Sequence, residues 1–572
     1  MKKELLAIEN LNIGLVKKPE VKTLVHDLSL TVSCDEIHAL VGESGSGKSL
    51  TALSIMGLLP AGLEVTAGRL MFANQDLASM TDSELRKKRG REIAMIFQEP
   101  MSSLNPLMTI GKQLVEPFKV HKLAAAKEAR EKAIFLLEKV GISNINETLS
   151  KYPFELSGGQ QQRVMIAMAL TTHPKLLIAD EATTALDVTV QKQVLELLAS
   201  LKEEFKMSVL FITHDLGIVS EIADEVSVVQ HGYLKESASC QAIFMNPQHA
   251  YTRGLISCRP PESFVPSRLA TLKDIETGRK IPATKSKKAK AQNGLALLTA
   301  AKVSKVYSGK GLPYFSKTKD FYALRDVSME LREGEILGIV GESGSGKTTL
   351  GRILSGLDFA SSGKVTAFRN DLSQVTSKAK FELKRRIQYI FQDPAGAMNP
   401  RKKISEIMLE PLGIHFPKRT HKENLDQAIS LLEQVGLDST ALDRFPHQFS
   451  GGQKQRICIA RALTVEPEVL ICDESVSALD VSVQASILNL LLDLREKKHL
   501  TFLFISHDLN VVRFFCDRLL VMYRGEVVEE GPSEAVYGNP QHRFTRKLLA
   551  AQSPIKWQSK RSVLEDVYEQ TN

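Results

Sequence analysis

The 572-residue chain has no apolar run near the roughly 18 residues that a membrane-spanning helix requires. Its start, MKKELLAIENLNIG, is basic, but an acid and polar residues interrupt the apolar ones, which is not the pattern of a secretory signal. Cysteine is sparse, with six residues at 34, 240, 258, 458, 472 and 516 and no CxxC pair. That excludes a disulfide framework and zinc modules, and it points to reduced thiols in a cytosolic protein. Neither charge sign dominates: 74 Lys and Arg stand against 66 Asp and Glu. A net +8 spread over this length is too dilute to argue a nucleic-acid partner. No long heptad run signals a coiled coil. What remains, 43% hydrophobic and 24% charged, is the balance of a soluble globular protein too long for one core.

The chain repeats itself. VGESGSGKS (41–49) returns as VGESGSGKT (340–348), 299 residues later. IFQEPMSSLNP (96–106) returns as IFQDPAGAMNP (390–400), LSGGQQQR (156–163) as FSGGQKQR (449–456), and ADEATTALDV (179–188) as CDESVSALDV (472–481). The offset falls to 293, so the second copy carries small deletions before its SGGQ element. The reading is a tandem duplication, with a first domain over 1–258, a linker over 259–295, a second domain over 296–550 and a tail over 551–572. Prolines break the linker's RPPESFVPSR, and RKIPATKSKKAKAQ (279–292) carries six Lys or Arg and no acid. Such a stretch has little to bury and reads as a solvated connection.

Gly42, Glu43, Ser44, Gly45, Ser46, Gly47, Lys48 and Ser49 form a phosphate-loop motif, and Gly341, Glu342, Ser343, Gly344, Ser345, Gly346, Lys347 and Thr348 form it again. Glycines let successive backbone N–H groups point at phosphate oxygens, and the following helix adds its positive end. The lysine neutralises the outer phosphates, and the hydroxyl of Ser49 or Thr348 suits magnesium. EIHALV (36–41) and EILGIV (335–340), just upstream, read as short buried strands.

KLLIADE (175–181) and EVLICDE (468–474) are apolar strands that end in paired acids. A buried parallel strand delivers such acids to the sheet edge where ligands bind. Asp180 and Asp473 suit magnesium through its water shell, and Glu181 and Glu474 suit polarising a water. His214 and His507 each follow another apolar strand, 33 residues after their glutamates. A neutral imidazole there could bond the terminal phosphate or the attacking water.

Phosphate loop, Gln98 or Gln392 after a strand, SGGQ, apolar-Asp-Glu, ALD and a late histidine, in this order and twice, resemble the ATP-binding cassettes of ABC transporters. The resemblance implies an α/β fold of two tandem cassettes, each a RecA-like core with an antiparallel β subdomain and a helical subdomain inserted near 101–170 and 395–463. It implies ATP and magnesium as ligands, with Gln98 and Gln392 near both metal and water. It also implies crossed sites. Ser450, Gly451, Gly452 and Gln453 would close on the first phosphate loop, and Ser157, Gly158, Gly159 and Gln160 on the second. Asp187 and Asp480 would meet between them. Neither set lacks a catalytic residue, so both should hydrolyse. Cassettes of this kind stack adenine on an upstream aromatic residue; Tyr307 offers one in the second copy, while Leu15 falls near that place in the first.

FQEPMSSLNPLMTIG, DEATTALD with DESVSALD, and the tails NPQHAYTRGL (246–255) and NPQHRFTRKLL (539–549) resemble the cassettes of peptide importers. Some relatives hold an iron–sulfur cluster after that tail, but here only Cys258 is near, with Cys240 upstream, and no cluster is expected. The resemblance implies an ATPase that energises import of short peptides or related solutes. Two transmembrane permeases and, through them, a solute-binding protein would be its partners. It would sit peripherally at the cytoplasmic face of the inner membrane, docked by Met101, Leu104, Leu107 and Met108. The alternative, a soluble tandem cassette acting on ribosomes, usually carries a long charged helical linker and an SGGE signature; both copies here read SGGQ.

Overall fold

The computed structural model describes residues 3–17, 20–98, 103–182, 188–261, 264–282, 294–307, 320–477, 479–552 and 567–569. The chain forms two compact units, one built mainly from Met1–Ser257 and the other mainly from Ile281–Gln552.

In the first unit the core sheet runs Ile93–Ile96, Leu176–Asp180, Ser208–Thr213, Ile37–Val41, Glu225–Gln230 and Tyr233–Ser239 in spatial order. The first five strands are parallel and the last is antiparallel. Every residue of Ile37–Val41, Leu176–Asp180 and Ser208–Thr213 is buried. That is why these strands read as unbroken apolar runs: helices cover both faces and leave no polar side. Their C-terminal ends carry Gly42, Asp180 with Glu181, and His214 to one edge.

The antiparallel subdomain pairs Glu4–Lys17 with Glu20–Ser33 and with Leu63–Phe72. It joins the core where His26 N–H donates to Gly232 O at 2.9 Å. The helical insert holds Ile110–Val120, Ala126–Lys139, Ile145–Ser150 and Gly158–Ala169. Ala129, Ala133, Leu136 and Leu137 make the buried stripe of the second of these at helical spacing.

The second unit repeats the plan. Its core runs Ile387–Ile390, Val469–Asp473, Thr501–Ile505, Ile336–Val340, Arg518–Tyr523 and Glu526–Pro532. Its insert holds Ile404–His415, His421–Gln434 and Gly451–Leu463, with a short 3-10 turn at Ser439–Asp443 where the first unit has Ile145–Ser150. Arg325 N–H donates to Gly525 O at 2.8 Å, repeating the seam between subdomain and core.

The stretch read from the sequence as a linker is structured over much of its described length. Leu272–Glu276 is helical and packs with Ala250–Ser257 in the first unit. Residues 258–271 belong to the second unit. There Asn489 accepts from Leu269 N–H at 2.9 Å and donates to Leu269 O at 2.8 Å, and Arg268 grips Asp493 at 2.7 and 3.2 Å. Most of the basic run, 283–292, lies outside the described residues.

Candidate nucleotide sites

Each phosphate loop links a buried core strand to a helix that begins at its lysine, Lys48–Met56 or Lys347–Leu354. Glycine is required for two separate reasons. A Cβ on Gly42 would lie 2.1 Å from Val229 O, and one on Gly341 would lie 2.2 Å from Met522 O, so only glycine fits beside the neighbouring strand. Gly47 and Gly346 cap the helices at φ 98° and 102°, a left-handed conformation that side chains resist.

The lysines are buried, 5% exposed in each loop. Lys48 Nζ donates to Gly42 O at 2.8 Å and Glu43 O at 2.9 Å; Lys347 Nζ donates to Gly341 O at 2.8 Å and Glu342 O at 3.0 Å. Ser46 Oγ and Ser345 Oγ are buried with no hydrogen-bond partner among the described residues. A buried hydroxyl left without a partner costs about 1–3 kcal/mol, and two loops repeat the same vacancy in bonding. A buried ammonium and an unpartnered hydroxyl at the head of a helix together fit a polyphosphate.

Ser49 Oγ donates to Asp180 Oδ1 and Thr348 Oγ1 to Asp473 Oδ1, each at 3.1 Å. Hydroxyl and carboxylate are hard oxygen donors of the kind magnesium takes, so this pair fits the metal. Burial pushes both aspartates above the usual carboxylate range; the hydroxyl bonds offset part of this, and the neighbouring glutamates add to it.

Glu181 and Glu474 sit just past the strand ends at φ 47° and 45°. A non-glycine residue in that region carries a backbone cost and persists only where its surroundings fix it. Here each N–H donates across the sheet edge, to Ile212 O or Ile505 O at 2.9 Å. The side chains are held as well. Gln98 Nε2 donates to Glu181 Oε2 at 2.9 Å, and His214 Nδ1 lies 3.4 Å from Glu181 Oε1. Gln392 Nε2 donates to Glu474 Oε2 at 3.0 Å, and His507 Nδ1 lies 3.5 Å from the same oxygen. Burial alone would raise both glutamates, but the histidine beside each, with the loop lysine behind it, outweighs burial and holds them below the usual range. His507 is raised: burial opposes its charge, and Glu474 and Asp508 overcome that.

The SGGQ elements stand at the head of the last insert helices. Ser157 Oγ accepts from Gln160 N–H at 3.4 Å while Gln160 Oε1 accepts from Ser157 N–H at 3.0 Å, and Ser450 with Gln453 repeats this at 3.3 and 3.0 Å. Each is a reciprocal cap that exposes the helix's positive end. Asp480 caps Val481–Lys498 by position; Asp187 lies outside the described residues.

Tyr307, 43% exposed, lines a cleft of about 220 Å³ with Ser343, Lys347, Gln392 and Glu474. Its hydroxyl donates to Asp358 at 3.0 Å, and Lys305 lies 5.0 Å from its ring. Two residues escaped the sequence reading. Phe321, which pairs with Tyr307 across the antiparallel strands, lines the same cleft. Tyr389 donates to Asp473 Oδ2 at 2.6 Å. No motif marks either; comparing the two copies position by position is the signal that finds them. Of the four residues read as a docking face, Leu104 is 1% exposed and belongs to the core, for it packs among the insert helices. Leu107 is 86% exposed, and Met108 lines a groove of about 720 Å³ with Val115 and Leu149. Met101 lies outside the described residues.

A family model described as ABC transporter matches residues 25–184 and again 324–477. The chain belongs to the ABC transporter family. A second model, the oligopeptide/dipeptide transporter C-terminal region, matches 236–284, which includes part of the supposed linker. The chain is 43% identical over 585 residues to "Glutathione import ATP-binding protein GsiA" of Escherichia coli O6:H1, covering 98% of this chain and 92% of that protein. It is 43% identical over 553 residues to "Uncharacterized ABC transporter ATP-binding protein YejF" of Escherichia coli strain K12, covering 96% and 100%. This ABC protein is therefore a fused, tandem-cassette ATPase that binds ATP and couples its hydrolysis to import in the peptide group. Among the described residues no helix is long and apolar enough to cross a membrane. As an import ATP-binding subunit of this family, it works with membrane permease subunits.

Proposed function

We propose that this ATPase drives uptake of short peptides, with glutathione-sized solutes among them, by closing its two cassettes on two ATP molecules. The reading of the solute rests on the peptide-group C-terminal region and on relatives named for glutathione import. Lys48 and Lys347 turn from their own loop carbonyls to the outer phosphates. Ser49 with Asp180, and Thr348 with Asp473, would hold magnesium, with Gln98 and Gln392 near it. When bound, the metal neutralises charge that develops on the phosphates. Glu181 and Glu474 orient and polarise the attacking water, and His214 and His507 donate to the glutamate, the water or the terminal phosphate. Ser450–Gln453 offer their helix end to the phosphate held by Lys48, and Ser157–Gln160 to that held by Lys347, with Asp187 and Asp480 between.

The observation that carries this reading is the pair of glutamates, each at a left-handed strand end and each held by a glutamine and a histidine from two other elements. Such a carboxylate is fixed for one direction of work. Movement passes to two permeases through the face near 98–110 and 392–404, and a solute-binding protein outside the inner membrane delivers the peptide. The test is ATPase activity of the chain co-purified with its permeases in lipid discs. Peptide-loaded binding protein should stimulate it; indifference to permeases and binding protein, with sedimentation on ribosomes, would contradict the reading.

A further inference from the structure

The internal repeat provides a comparison within one chain. Around the strand-end aspartates each unit has a phosphate-loop hydroxyl, Ser49 or Thr348, with the same neighbouring glutamate and the same lysine. Among the positions that differ, two lie on neighbouring elements.

The first is on the edge strand. In the second unit Tyr389 is 9% exposed, and its hydroxyl donates to Asp473 Oδ2 at 2.6 Å while Thr348 occupies Oδ1 at 3.1 Å. Register identifies its counterpart. Tyr389 pairs with Ile471, two residues before Asp473, and Met95 pairs with Ile178, two residues before Asp180. A thioether has no proton to donate. Among the described residues Asp180 accepts a side-chain hydrogen bond from Ser49 alone.

The second difference is on the helix after the phosphate loop, where Ala52 in the first unit becomes Gly351 in the second. A Cβ on Gly351 would lie 3.4 Å from the Tyr389 hydroxyl and 2.9 Å from Ile505 Cδ1. Ala52, by contrast, is fully buried in the core cluster against which Met95 packs. The methyl present in one unit is missing in the other, on the side where the tyrosine hydroxyl reaches its aspartate.

We propose that Tyr389 is a positioning residue for the metal-holding carboxylate of the second ATP site, and that the two sites therefore bind divalent metal unequally, the second more tightly. This rests on the reading of Asp473 as a magnesium residue. With both oxygens committed to donors, the Asp473 carboxylate is held against turning about its Cβ–Cγ bond. Asp180, held at one oxygen, retains that freedom and must lose it when metal arrives. Hydrogen-bond partners that orient a metal's ligands commonly change metal affinity by about 10–100-fold.

The test is a Mn²⁺ titration of the intact chain, saturated with a non-hydrolysable ATP analogue, followed by electron paramagnetic resonance. Two unequal Mn²⁺ sites per chain are expected. Tyr389→Phe should weaken the tighter one roughly tenfold and leave the other within about twofold, with metal-free nucleotide binding unchanged. Met95→Tyr combined with Ala52→Gly, which copies the second unit's residues into the first, should tighten the weaker site. If Asp473→Asn weakens one site while Tyr389→Phe changes neither, the tyrosine's role is overturned and the aspartate's stands. If Asp473→Asn changes neither, the reading of the metal site itself fails. An equal loss of metal-free nucleotide binding in Tyr389→Phe would show general damage and also overturn the proposal.

Discussion

The side-chain amide of Gln392 donates to Glu474 Oε2 at 3.0 Å. That bond connects the segment after the edge strand to the carboxylate at the end of the neighbouring strand, and Gln98 makes it to Glu181 in the other unit at 2.9 Å. Because the same segment leads into the helical insert, a displacement of the insert reaches the glutamate through one hydrogen bond.

The Glu474–His507 pair carries a pH signature. Glu474 is held below its ordinary value near 4.5 and His507 above its ordinary value near 6.5. The histidine's contribution to stability is complete below about 6.5 and is lost as pH rises through its raised value; the glutamate's is present above about 4.5 and is lost as pH falls through its lowered value. The nucleotide-free protein should therefore lose more melting temperature on His507→Ala at pH 6 than at pH 9. An equal loss at both would show that the pair is not charged.

Adenine binding should be unequal between the sites. Stacking a base on an aromatic side chain is worth about 1–3 kcal/mol, so Tyr307→Ala should weaken ATP at the second cassette by that amount. The first cassette has Leu15 near the corresponding place and should be unaffected. Fluorescent ATP titrations of the wild-type and Tyr307→Ala chains separate the two, and identical curves would return Tyr307 to a purely structural role.

Leu107 and Leu104 should behave differently although they are three residues apart. Leu107→Glu, at an exposed position, should leave folding and ATP binding intact and end peptide uptake by preventing permease docking. Leu104→Glu places a charge in the insert core and should lower the melting temperature sharply, by several kcal/mol in stability. Normal uptake by Leu107→Glu would remove this face from the docking surface.

Asn489 holds residues 258–271 on the second unit by satisfying both backbone groups of Leu269. Asn489→Ala leaves that N–H and C=O unbonded in a buried place, at about 1–3 kcal/mol for each. Calorimetry should show the second unit melting earlier, with nucleotide binding to the first unit unchanged; an unaltered melt would mean that the segment contributes nothing there.

The catalytic layout was legible because its chemistry forces particular residues into short spans. Gly42 and Gly47 are dictated by a neighbouring carbonyl and a left-handed turn, and apolar strands ending in Asp-Glu announce both burial and the sheet edge. Individual packing contacts were not. Tyr389 reaches Asp473 from 84 residues away, a tertiary contact that no local pattern encodes. Residues 258–271 carry too few apolar side chains to declare a core, and polar contacts from distant residues, Asn489 to Leu269 and Asp493 to Arg268, hold them. Leu104 looked like a docking residue because a single apolar side chain in a loop-to-helix stretch has no periodicity to show which way it faces.

Turnover and nucleotide binding in the Glu181→Gln, Glu474→Gln double variant test the central claim most directly. Both amides keep the shape of the site and remove the carboxylate that polarises water. In the chain assembled with its permeases, ATP binding should persist while hydrolysis falls on the order of 10²–10⁴-fold; hydrolysis within about twofold of wild type would contradict the account.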